Sequence, residues 1–136
     1  MRQLFDSFTT FDDFLIYFAV ALALLVAYIA IYVRITPYKE ITLIREGNMA
    51  ASFSLSGSVL GFVIPLSAAI QHSVNLADMA IWGVFALVVQ VLAFVVVKLA
   101  LPSLPRDIPA NNGAAGFFLG CMSLAVGVLN AACMSY

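Results

Sequence analysis

Charge is what this sequence has least of: six Lys and Arg and seven Asp and Glu in 136 residues. A soluble domain usually places charges on about a quarter of its residues. Here 64% of the chain is hydrophobic and 10% is charged, too little to clothe a water-facing surface, so the implied solvent is lipid. Reactive side chains are equally scarce. His72 is the single histidine, and beside Gln71, Asn75 and Asp78 it reads as a polar cluster at a membrane interface, short of a metal-ligand set. The two cysteines, Cys121 and Cys133, lie on one expected helix, about 18 Å apart along its axis, and so cannot form a disulfide with each other. The alternating Ser52, Ser54, Ser56 and Ser58 have no partner base nearby. No basic stripe suggests nucleic acid. The expectation is therefore no catalytic residue, no metal, no cofactor and no enzyme.

The charges that exist leave long gaps. Uncharged runs cover 14–33, 47–77, 79–97 and 108–136, and a bilayer crossing takes roughly 20 apolar residues. The pattern predicts an all-α integral membrane domain over 1–136, with transmembrane helices at about 14–35, 49–70, 79–101 and 113–134. The first run is read as a permanent helix, because Arg2 faces Asp6, Asp12 and Asp13 where a signal peptide would be basic. No Asp, Glu, Lys, Arg or His is expected deep in any span, and proton pumps and coupled transporters normally place ionisable groups there.

Lys and Arg placement sets the expected orientation. Arg34, Lys39 and Arg45 fall in the first connection, Lys98 and Arg106 in the third, and none in the second. The positive-inside rule puts that face in the cytoplasm and both termini in the periplasm. Tyr17, Trp82 and Tyr136 would then sit at the outer interface and Tyr32 and Tyr38 at the inner one, as an aromatic belt.

Sliding the chain 64 residues along itself brings Asn48-Met-Ala50-Ala51 onto Asn112-Gly-Ala114-Ala115, and Arg34 onto Lys98. Each unit is a two-helix hairpin, about 12–70 and 76–134, so the expected repeats are parallel, related by an axis along the membrane normal. Asn48 and Asn112 are read as helix N-caps.

The helices differ in kind. The first and third are rich in Leu, Ile, Val and Phe and are expected to face lipid. The second and fourth carry small residues at helical spacing: Ser54, Gly57 and Gly61 in one, Gly113, Gly116, Gly120 and Gly127 in the other. Such spacing lets backbones approach closely. Pro65 removes one helical hydrogen bond, which either kinks the helix or is absorbed by its neighbours. Gln90 and Asn130 are the strongly polar side chains of helices three and four. They serve either as interhelical hydrogen-bonding groups or as contacts in a pore. The alternating Ser52, Ser54, Ser56 and Ser58 either line a wet path or bond back to their own helix.

Three stretches carry a resemblance: Ile35-Thr-Pro37-Tyr-Lys-Glu-Ile-Thr-Leu-Ile, Ala50-Ala-Ser-Phe-Ser-Leu-Ser-Gly-Ser-Val-Leu-Gly-Phe-Val-Ile-Pro-Leu-Ser67, and Ala114-Ala-Gly-Phe-Phe with Asn130-Ala-Ala-Cys-Met134. Together they resemble the YjfL-type bacterial inner-membrane proteins of the "domain of unknown function three-fifty" family, over nearly the whole chain. The resemblance implies tandem two-helix units in the cytoplasmic membrane. It brings no reaction, ligand or catalytic residue to carry over, and links the family to envelope stress by association alone. Two expectations follow. One is a non-enzymatic scaffold that forms homo-oligomers through helices two and four and recruits a cytoplasmic protein through its basic loops. The alternative is an oligomeric channel or small-solute transporter lined by the Ser/Gly faces, with Gln90 or Asn130 at a constriction.

Overall fold

The computed structural model describes residues 1–36 and 38–134, the side chains of Phe5 and Phe8 excepted. Pro37 of the first quoted stretch and Tyr136 of the expected belt lie outside the described residues. The described residues form six helices: α1 (Arg2–Ile35), α2 (Glu40–Arg45), α3 (Met49–His72), α4 (Leu76–Ala100), α5 (Leu104–Asp107) and α6 (Gly113–Cys133). Among the described residues, α1, α3, α4 and α6 are long and apolar enough to cross a membrane. The expected spans agree with these closely at α3, α4 and α6. At α1 the helix begins twelve residues early, because nothing between Arg2 and Asp13 breaks it and its Ser and Thr hydroxyls bond back to carbonyls one turn behind. The two short helices were not expected at all.

Local chemistry explains the boundaries. Asn48, Asn75 and Asn112 each accept a hydrogen bond from the backbone N–H three residues on, which starts α3, α4 and α6. At α4, Asp78 in turn accepts from the Val74 N–H. The polar cluster near His72 is therefore built largely of capping bonds.

Both short helices end in the same way. Asn48 N–H donates to the Leu43 carbonyl and Gly47 N–H to that of Ile44; 64 residues on, Asn112 N–H donates to Asp107 and Asn111 N–H to Ile108. This is the Schellman arrangement, which requires a left-handed residue. Gly47 supplies it at φ 84° and Asn111 at φ 61°. The two ends are also tied together. Asn48 Nδ2 donates to the Ile108 carbonyl at 2.9 Å, and Asn111 Oδ1 accepts from the N–H groups of Met49 and Ala50.

From that shared end α3 and α6 run parallel, in contact along their length. α4 returns antiparallel across both, and α1 rests on α3 and α4. α3 is thus the central helix. The expected close contact of helices two and four is the α3–α6 pair, and α1 is largely exposed as expected, but α4 is not turned to lipid alone and α6 is not wholly inside. α6 lies at an edge with Phe117, Cys121, Met122, Val128 and Leu129 exposed, while α4 buries Met79, Ala86, Gln90 and Phe94.

Candidate functional site

The seam between α3 and α6 is made of backbone. A Cβ on Gly57 would run into Gly120, one on Gly116 into Ala50, one on Gly120 into the Phe53 carbonyl, and one on Gly127 into Gly61. Gly61 itself lies against the Ser123 carbonyl and the Gln90 amide. Gly113, the first residue of α6 and expected in the same stripe, meets nothing within 4 Å. Ser54 and Ser58 are buried on this side of α3, whereas Ser52 and Ser56 are not. Ser54 donates back to the Ala51 carbonyl at 3.0 Å, and Ser58 Oγ meets Ser123 Oγ at 3.3 Å. α3 continues unbroken through Pro65, which is itself buried.

Gln90 is 1% exposed and donates from Nε2 to the Ser123 carbonyl at 3.1 Å, while its Oε1 has no partner. It joins α4 to the seam. Asn130, near the far end of α6, is half-buried with an unpartnered Nδ2. Cys121 and Cys133 are free and exposed.

One buried acid escaped the sequence reading. Glu40, at the first position of α2, is 0% exposed and is the only buried residue of that helix. α1 brings Tyr28 and Tyr32 to the same region, four residues apart and therefore on one face. Tyr28 stacks on Phe62 at 4.7 Å and Tyr32 meets Phe94 edge-on at 5.2 Å. These contacts turn both rings inward. Tyr32 and Tyr38, expected at a lipid interface, are buried beside Glu40.

Burial pushes the Glu40 carboxyl up to about 8, and the facing hydroxyls of Tyr32 and Tyr38 hold the rise in check. Neither hydroxyl nor either carboxylate oxygen closes a hydrogen bond of good geometry. Burial, then the neighbouring carboxyl, pushes the Tyr38 phenol up as well. A groove of about 280 Å³ lined by Thr36, Tyr38, Lys39, Glu40 and Thr42 opens beside this cluster. The signal in the sequence was faint: an acid two residues from a tyrosine, in a connection that reads as a loop. Among the described residues no three His, Cys, Asp or Glu side chains group as a metal would need.

Four apolar helices, three of them capped by asparagines and two joined by a glycine seam, define a multi-pass helical protein of the bacterial inner membrane. The family model "Domain of Unknown Function (DUF350)" matches residues 4–134, and the chain belongs to that family. It is 45% identical over 134 residues to the UPF0719 inner membrane protein YjfL of Escherichia coli (strain K12), covering 98% of this chain and 99% of that one. It is 26% identical over 118 residues to the UPF0719 transmembrane protein YshE of Bacillus subtilis (strain 168), covering 85% and 88%. No solved structure matches.

Proposed function

We propose that this protein is a non-enzymatic structural component of the inner membrane that acts by assembling with copies of itself. The observation that supports the reading is the dry seam: the small-residue faces of α3 and α6 are spent on each other's backbone. What α6 turns outward is apolar surface with one free thiol, Cys121. The glycines cannot then serve as the contact between protomers, and we assign that contact to the exposed face of α6 carrying Phe117, Cys121 and Val128.

In this reading the two hairpins are parallel repeats, which the recurring Schellman bonds and the parallel run of α3 and α6 favour. Arg34, Lys39, Arg45, Lys98 and Arg106 face the cytoplasm, where they can engage an acidic partner protein, and the termini face the periplasm. Measuring the mass of the protein in lipid nanodiscs tests the assembly, and oxidising native membranes tests the face, because Cys121 lies on it. The expected result is an oligomer that yields a disulfide-linked dimer. A monomeric mass in lipid overturns the proposal.

The channel alternative requires a ring of subunits to supply a lumen, since Ser54, Ser58 and Gln90 are committed inside the protomer. Flux of potassium or a small neutral solute into reconstituted liposomes would restore it.

A further inference from the structure

We propose that Glu40 is a reversible proton-binding site: uptake of a proton from the aqueous phase at the α2 end docks α2 on the bundle, and loss of the proton releases it. α2 is six residues long and lies mainly on α3. Glu40 is its only fully buried side chain, with Leu43 partly buried against the core, so the innermost anchor of the helix is a carboxyl. A buried carboxylate is tolerated when a cation or several donors surround it. The titratable groups that face Glu40 are phenols, Tyr32 from α1 and Tyr38 from the connection, with Tyr28 one turn further along α1. α3 adds only the hydroxyls of Ser54 and Ser58 beside these tyrosines. No basic side chain contributes, and Lys39 next in sequence is exposed.

In the protonated state one carboxyl oxygen becomes a donor, and it can donate to a phenol oxygen while a phenol donates to the other. The four unpartnered oxygens of Glu40, Tyr32 and Tyr38 then satisfy one another. In the ionised state the Tyr32 and Tyr38 hydroxyls replace only part of the lost hydration, and the short helix that carries the group can move it into water. The groove beside Thr36, Tyr38 and Thr42 gives the proton a route.

The other half of the chain supplies a control. Sixty-four residues on from Glu40 stands Leu104, which is likewise the only buried residue of its short helix, α5. The two anchors occupy matching places in the fold. One can ionise and the other cannot, so proton binding acts on α2 alone.

The test is an infrared titration of the full chain in lipid nanodiscs, followed by amide exchange. A protonated-carboxyl band should persist to a midpoint of about 8 and vanish in Glu40→Leu, the residue the second half already uses. Tyr38→Phe should move the midpoint upward, since its hydroxyl favours the anion; this variant also serves if Glu40→Leu fails to fold. After correction for intrinsic rates, opening of α2 should rise about tenfold per pH unit between about 4.5 and the midpoint of about 8, level off above it, and lose that dependence in Glu40→Leu. A midpoint in the ordinary carboxylate range overturns the proposal. So does a midpoint that shifts with sodium or potassium at constant ionic strength, which would mean a cation site. Exchange of α2 that ignores pH removes the docking step.

Discussion

Gly127 lies against the carbonyl oxygen of Gly61, the acceptor that Pro65, four residues further along α3, leaves without a helical donor. A Cα–H contact to a carbonyl is worth about 0.5–1 kcal/mol, and no side chain could fit there. The missing hydrogen bond and the missing side chain therefore belong to one contact. Gly127→Ala, Gly57→Ala and Gly116→Ala should each destabilise the protomer by about 1–3 kcal/mol or more, since the added methyl meets backbone that cannot step aside. Gly113→Ala, in open space, should be neutral. Thermal unfolding in detergent checks the contrast; equal losses at all four positions would refute the seam.

The second tie between the halves is polar. Asn111 holds φ 61° and accepts from two N–H groups at the start of α3. Asn111→Gly keeps the conformation and loses the bonds, whereas Asn111→Ala loses the bonds and adds strain. The expected order of melting temperature is wild type, then Gly, then Ala. Losses near 1 kcal/mol for the cap and about 1 kcal/mol more for the left-handed alanine set the scale.

How far the sequence carries can be read at these positions. Charge spacing located three of the spans almost to the residue, because a bilayer fixes the length of apolar helix between charges. The asparagine caps were legible because each is a local event within four residues. The glycine spacing announced close helix contact but could not say whose helix would make it. That depended on Asn48 and Asn111 bringing α3 and α6 to one starting point, a relationship across more than sixty residues. Glu40 was hidden for the opposite reason. Its burial arises from α1 tyrosines turned inward by Phe62 and Phe94, and nothing adjacent to it in sequence reports that.

Gln90 joins α4 to the seam with one hydrogen bond while leaving Oε1 without a partner. An interhelical bond of this kind is worth about 0.6–2 kcal/mol in a membrane, and the orphaned acceptor offsets part of it. Gln90→Leu, which keeps the volume and removes both groups, should change stability by less than about 1 kcal/mol. Gln90→Ala leaves a cavity against Gly61 and Ser123 and should cost about 2 kcal/mol or more. If the leucine variant is the worse of the two, the amide contributes more than this geometry supports.

The last expectation concerns pH. The Glu40 carboxyl is raised from an ordinary value of 4.5 to about 8, so the folded chain keeps a proton that the unfolded chain has already lost. Stability from this group is therefore fully present below about 4.5, declines as pH rises toward 8 and is flat above it. Each tenfold gain in proton affinity on folding is worth about 1.4 kcal/mol, so the difference amounts to several kcal/mol. Melting of the wild type in detergent should fall between pH 5 and pH 8. Subtracting the Glu40→Leu curve isolates the contribution, because every other titrating group is common to both proteins. The variant should match the wild type near pH 5 and melt higher near pH 9, where the leucine carries no charge to desolvate. Parallel curves across that window would mean that Glu40 is hydrated, and that α2 is not held by a neutral carboxyl.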